Sequence, residues 1–192
     1  MFYYLAKYIV LFIIRIIFRI HIEGYENVPK SGPLIICPNH ISFLDPPIIG
    51  ALFNRRIYFM AKVELFKNPL FSFILSKGLG AFPVKRGTSD LTAIKTALKH
   101  LKKGHAIGIF PEGTRSKTGK LQKAEPGVSL LSVKGSAPVL PVGIKSNYRL
   151  FSKITIKIGK PIYFYEYKSS HLTSQDMTNI GEKIMMEISK LI

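Results

Sequence analysis

The chain carries one cysteine, Cys37, among its 192 residues. That excludes a disulfide framework and a cysteine-ligated metal site, and it suits a reducing compartment. Cys37 sits in a short apolar run, Pro33-Leu34-Ile35-Ile36-Cys37, and reads as core and not as a nucleophile. Acidic residues are scarce, 11 against 28 lysines and arginines, for a formal net charge of +17. This balance implies an anionic partner: nucleic acid, an anionic membrane or a phosphorylated substrate. No helix-turn-helix, zinc or RNA-binding signature is present, which argues against nucleic acid. The hydrophobic share of 47% and mean hydropathy of +0.19 turn the expectation toward a membrane surface. No stretch of about 20 uncharged apolar residues exists to span a bilayer. There is no G-x-S-x-G elbow, no internal repeat, no low-complexity tract and no sign of a second folded domain. His21, His100, His105 and His171 lack metal-ligand spacing and read as structural or exposed.

The apolar start, MFYYLAKYIVLFIIRIIFRI, is interrupted by Lys7, Arg15 and Arg19. At about 100° per residue, Tyr4, Lys7, Tyr8, Arg15 and Arg19 fall in a polar stripe roughly 120° wide. This predicts residues 1–20 as an amphipathic helix lying in a membrane interface, with cationic heads reaching phosphates. A helix packed on the domain's own core and a tilted span are the alternatives. A signal peptide is disfavoured, because no small-residue cleavage site follows and the arginines come late.

Residues 21–192 read as one domain, long enough to bury a sizeable core. Strands are expected at 21–27, 33–37, 57–61, 81–84, 105–110, 138–144 and 154–158. Helices are expected at 45–53, 68–76, 88–103, 126–133 and 173–192. In the second, Phe71, Ile74 and Leu75 should face inward. In the third, Leu91, Ile94, Leu98 and Leu101 mark one face, and Thr88, Ser89 or Asp90 caps it. In the last, Ile180, Ile184, Ile188 and Leu191 share a side. The alternation predicts an α/β fold: a mixed, largely parallel sheet flanked by helices on both faces.

Chemistry concentrates in Asn39-His40-Ile41-Ser42-Phe43-Leu44-Asp45, between a strand and a helix. Reactive groups collect outside the carboxyl ends of strands in such folds. Imidazole can take a proton from a hydroxyl near neutral pH, and a carboxylate on its other nitrogen fixes the tautomer. Asp45 before Pro46 also reads as a helix N-cap, with a Ser42-x-x-Asp45 capping box in competition. Lys62, Arg86 and Arg115 each follow an expected strand. If those strands are parallel neighbours, the three cations converge near His40 and suit a phosphate. Glu112 orients an arginine or holds its loop, and Gly113 allows a tight turn.

Four blocks in order resemble the lysophosphatidic acid acyltransferase family, the bacterial 1-acylglycerol-3-phosphate acyltransferases. They are Asn39-His40-x-Ser42-x-x-Asp45, Gly80 to Gly87 (GAFPVKRG), Phe110 to Ser116 (FPEGTRS) and Leu140 to Ile144 (LPVGI). The resemblance implies acyl transfer from acyl-CoA or acyl carrier protein to the sn-2 hydroxyl of lysophosphatidic acid, giving phosphatidic acid, on the cytoplasmic face of the membrane. It implies His40 as base, Asp45 as its orienting partner, and Lys62, Arg86 and Arg115 on phosphate. It assigns Glu112, Gly113 and Thr114 to the acceptor site and Pro141 to the pocket, with no metal or cofactor. Two competing readings stand beside it: acylation of another phosphorylated or lysolipid acceptor, and a non-catalytic module binding anionic lipid.

Overall fold

The computed structural model describes residues 2–85, 90–167 and 172–192. Its centre is β2 (Leu34–Pro38), whose five residues are all buried. A strand buried on both faces is the signature of a parallel sheet covered by helices. β2 pairs in parallel with β5 (Ala106–Gly108) on one side and β6 (Val139–Lys145) on the other. Beyond β5 come β3 (Ile57–Lys62) and β4 (Phe82–Val84), also parallel. β7 (Lys153–Ile158) runs antiparallel to β6, and β1 (Arg19–Glu23) pairs parallel to β7 at the edge. The sheet order is β1-β7-β6-β2-β5-β3-β4, so the mixed and largely parallel sheet expected from the alternation of elements is what forms.

Alternation along β2 splits the core into two layers. Leu34 and Ile36 join a cluster with Ile14, Phe18, Ile48 and Phe53, under α1 (Phe2–Ile17) and α2 (Asp45–Leu52). Ile35 and Cys37 join Leu101, Leu131, Ile180 and Ile184, from α4 (Leu91–Lys102), α5 (Pro126–Lys134) and α6 (Ser174–Ser189). Burial pushes the Cys37 thiol far above its ordinary range, which keeps it protonated and unreactive. α6 opens with a reciprocal capping box between Thr173 and Asp176. α4 is capped by Asp90, which accepts from Ala93 N at 3.0 Å and, on its other oxygen, from Lys85 N at 2.8 Å.

The strand expected at 21–27 is β1, and residues 25–27 form a 3-10 turn after it; three helix expectations also need correction. The helix expected at 68–76 is α3 (Pro69–Phe73) followed by a π-turn at Ile74–Gly78, and its Phe71 and Ile74 point outward, with only Leu75 half-buried. On α4, Leu101 is buried and Ile94 and Leu98 pack against the core as expected, joined by Ala93 and Ala97, while Leu91 departs from the expected face and is exposed. The third concerns the first helix. α1 ends at Ile17, and Arg19 already belongs to β1, where its Nε donates to Phe151 O at 3.2 Å. Lys7 turns inward, is buried, and donates to Phe53 O. The polar stripe is therefore broken. α1 instead has two apolar faces: Tyr3, Ile14 and the following Phe18 pack on the domain, while Phe2, Leu5, Ile9, Phe12, Ile13 and Ile16 are exposed. Among the described residues no helix is long and apolar enough to cross a membrane; α1, at 16 residues, is about 24 Å long against a hydrocarbon core of about 30 Å.

Candidate active site

The carboxyl ends of β2, β5, β3 and β4 open on one edge of the sheet, and the chemistry-bearing loops leave from there. β2 hands the chain to Asn39, which bonds across to β6: its Nδ2 donates to Ile144 O at 2.9 Å, and its Oδ1 accepts from Ile144 N at 2.6 Å. That clamp fixes the start of the loop. His40 follows, with Nδ1 at 2.8 Å from Asp45 Oδ2. Both side chains are buried, Asp45 completely. The ring of His40 stacks on Phe110, with centroids 4.0 Å apart. With Nδ1 engaged, Nε2 is the nitrogen left for a substrate.

Asp45 is the first residue of α2 and not its cap, which is Leu44. Its carboxylate points back into the loop, where Oδ2 also accepts from Ile41 N at 2.8 Å and Ser42 N at 2.7 Å. Pro46 and Pro47 bring no N–H, so the first turn of the helix makes little demand on a capping oxygen, and the carboxylate is free to serve the loop. Ser42 Oγ accepts from Leu44 N at 3.2 Å, so Ser42 and Asp45 together close a tight local turn. Tyr148, from the loop after β6, donates its phenol O–H to Asp45 Oδ1. Nothing near Tyr148 in the sequence marks it, because it meets Asp45 across 103 positions.

The block Phe110 to Ser116 is tied to His40 on both sides of one residue. His40 N donates to Glu112 Oε1 at 2.8 Å, and Ser116 N donates to His40 O at 2.8 Å. Glu112 is buried, and its second oxygen accepts from Gln122 N at 3.1 Å. Its carboxylate thus holds the loop through the N–H groups of His40 and Gln122. Gly113 turns the loop at φ 67°, in the left-handed region, and a Cβ there would lie 2.9 Å from Glu125 Cγ. Thr114 and Arg115 are exposed, with Arg115 one residue from the Ser116 anchor.

Lys62 ends β3. The registers Leu34↔Ala106 and Ile57↔Ala106 make Lys62 level with Asn39. Two strand spacings separate them, roughly 10 Å. Lys62 Nζ is half-exposed and lies 3.4 Å from Glu64 Oε1. Arg86 lies outside the described residues, two positions beyond Val84 of β4, and Val84 is paired with Lys62. The parallel neighbourhood of β5, β3 and β4, which convergence of the cations required, is present. Pro141 is buried inside β6, level with Cys37 of β2 and packed against Gly159. An open cleft, about 510 Å³, is bordered by Asn39, Ile41, Ser42, Ser116, Lys117 and Tyr148, among others. Among the described residues, no group of three or more His, Cys, Asp and Glu could hold a metal. His100 and His105 lie away from these residues, stacked on Tyr58 with their Nδ1 atoms 3.1 Å apart.

A buried histidine–carboxylate pair lies at the carboxyl edge of a mostly parallel sheet, braced by a loop with an exposed arginine, and such a pair is able to take a proton from a hydroxyl. The chain belongs to the acyltransferase family, whose model matches residues 19–145. It is 33% identical to the 1-acyl-sn-glycerol-3-phosphate acyltransferase of Bacillus subtilis, over 90% of this chain and 87% of that protein. It is 30% identical to the protein of the same name from Borreliella burgdorferi, over 86% of this chain and 72% of that one. The crystal structure of the 1-acyl-sn-glycerophosphate acyltransferase PlsC from Thermotoga maritima superposes with a TM-score of 0.74 at 27% identity, covering 98% of this chain and 80% of that one.

Proposed function

We propose that this enzyme transfers an acyl group from a thioester donor, acyl-CoA or acyl carrier protein, to the 2-hydroxyl of 1-acylglycerol 3-phosphate, forming phosphatidic acid. The observation that carries the reading is the His40–Asp45 pair, held by the same loop that presents Arg115. The names of the relatives support the acceptor. His40 Nε2 takes the proton of the acceptor hydroxyl as that oxygen attacks the thioester carbonyl carbon. The C–S bond breaks as the new C–O bond is completed, and the imidazolium returns its proton to the departing thiolate. Asp45 stabilises the imidazolium and holds the tautomer. Arg115, Arg86 and Lys62 bind the phosphate and so orient the hydroxyl. Lys62 is shared with Glu64 and acts as the weaker, adjustable charge. The scheme needs no acyl-enzyme. Cys37 is fully buried, and the Ser42 hydroxyl is engaged by Leu44 N.

The work takes place at an anionic membrane surface. The exposed apolar residues of α1, with Phe73 packed on Phe2 at 5.3 Å between ring centroids, form a face suited to acyl chains. The direct test is purified protein with lysophosphatidic acid or glycerol 3-phosphate as acceptor, each with acyl-CoA or acyl carrier protein. Phosphatidic acid is expected as the product. His40→Ala should lower turnover by about 10²–10⁴ while the fold persists. Near wild-type turnover in folded His40→Ala protein, or an acyl group trapped on Ser42 or Cys37, excludes the mechanism. Preference for glycerol 3-phosphate moves the acceptor and leaves the base in place.

A further inference from the structure

Tyr148 stands out on two independent grounds. Its φ is +53°, a left-handed conformation uncommon for a large aromatic residue, which Phe151 in the same loop also adopts at +60°. Such conformations persist where surrounding contacts over-determine them, and they concentrate at functional sites. Its phenol O–H, largely buried, ends on Asp45 Oδ1, the carboxylate oxygen that His40 does not use. The surroundings fix it there. Its ring packs edge-on against Phe18, with centroids 6.0 Å apart. Tyr148 N donates to Ser146 Oγ at 3.0 Å. Further along the same loop, Phe151 N donates to Ile17 O at 2.8 Å. A structural tyrosine could occupy a core from an ordinary backbone; this one is brought to the carboxylate by an unusual one.

We infer that Tyr148 is a positioning residue for the reaction, acting through Asp45 to aim and tune His40. The inference rests on the acyl-transfer reading above. Asp45 Oδ2 carries three donors: His40 Nδ1, Ile41 N and Ser42 N. Oδ1 has Tyr148 as its donor among the described residues. The carboxylate can turn about its Cβ–Cγ bond, and a hydrogen bond on Oδ1 restrains that rotation. It also draws electron density from Oδ2, so the strength of the Tyr148 bond sets how strongly Asp45 holds the proton-bearing imidazolium. Burial, and after it the Asp45 charge, holds the phenol well above its ordinary range, so it stays a donor throughout the working pH. Tyr148 also borders the cleft beside this loop, together with Ile41 and Ser42.

The test is Tyr148→Phe, which keeps the ring against Phe18 and removes one hydroxyl. Turnover on whichever acceptor the wild type uses should fall about tenfold, the worth of one hydrogen bond to a charged group. KM for both substrates should change little. A more basic Asp45 binds the imidazolium more strongly, so the acid limb of the kcat/KM pH profile should move to higher pH. In an Asp45→Asn background the same substitution should cost nothing further, because the path through the carboxylate is already cut. If Tyr148→Phe does not fold, a ring-fluorinated tyrosine at position 148, a stronger donor of nearly the same shape, should move the acid limb to lower pH. Turnover within twofold of wild type, an equal loss in both backgrounds, or an acid limb that stays put under fluorination overturns the inference. Absence of acyl transfer by the wild type would instead sink the functional reading on which it rests.

Discussion

At the scale of single residues, the site divides into what neighbours in sequence can encode and what they cannot. His40 and Asp45 lie five positions apart, and their bond closes a loop too short to hide them from a reader of the chain. The proposed phosphate ligand Arg115 was legible because it follows a buried strand and a glycine turn. Tyr148 and the Asn39–Ile144 clamp were not, because each depends on the pairing of β2 with β6, more than 100 positions apart. The misreading of Asp45 as a helix cap has a local cause: Asp-Pro is a good helix start by composition, and only the geometry shows the carboxylate turned backward. This changes how Asp45→Asn is read. Its loss affects the Ile41 and Ser42 N–H groups as well as the imidazole, so Arg115 gives the cleaner single-residue test of substrate contact. Arg115 is exposed, and a change there leaves the core untouched. Arg115→Lys keeps the charge and loses the two-pronged geometry that matches phosphate. We expect kcat/KM for lysophosphatidic acid to fall about tenfold or more, with a much smaller effect on an acceptor lacking the phosphate. Equal losses on the two acceptors would show that Arg115 serves the loop and not the phosphate.

At the scale of elements, hydrophobic pattern located the helices but could not say which way each faced. Period 3.6 marks an apolar stripe, yet α1 is apolar on two sides, and the side chosen by the core depends on α2 and the π-turn beside it. Lys7 was assigned to a polar stripe by angle and is buried by tertiary contact, with burial pulling its amine below the usual lysine range. The exposed side of α1 is consequently more apolar than the sequence reading allowed. Fully burying one large apolar side chain contributes about 1.5–3 kcal/mol, against about 1 kcal/mol for each lysine or arginine near an anionic surface. Six such residues on α1 outweigh its exposed cation, Arg15. Deleting the helix would be a poor test, since Tyr3, Ile14 and Phe18 complete the core. Charging only its outer face is better. Leu5→Glu, Phe12→Glu and Ile16→Glu together, at positions 57%, 68% and 58% exposed, should leave the thermal midpoint nearly unchanged. In flotation with anionic vesicles the triple variant should stay in the soluble fraction, even at low salt. Retention at the wild-type level would rule this face out as the anchor.

At the scale of the whole molecule, +17 net charge on 192 residues means that added protons cost more here than in a balanced protein. The cost is sharpest where cations are already crowded. His100 and His105 face each other at 3.1 Å between Nδ1 atoms, so the two rings cannot both be protonated without two N–H groups colliding. Both pKa values lie below the ordinary histidine value of 6.5: burial comes first for each, followed by His105 and Lys103 for His100, and by Lys103 and Arg56 for His105. In the unfolded chain neither ring feels these neighbours, so it takes up its proton at higher pH than the folded ring does. Stability is therefore complete above 6.5, and as pH drops below that value the unfolded state gains protons that the folded state refuses. The loss levels off once pH falls through the lower folded values. The pair joins the end of α4 to the start of β5, the strand beside β2, so the whole sheet is the unit that melts. His105→Phe keeps an aromatic ring in place to stack on Tyr58 and removes one of the two titrating groups. The melting temperature of the wild type should fall between about pH 7.5 and about pH 5, and that of the variant by visibly less. Parallel pH profiles for the two proteins would mean that the acid sensitivity arises elsewhere, and that the histidine pair is tolerated in both protonation states.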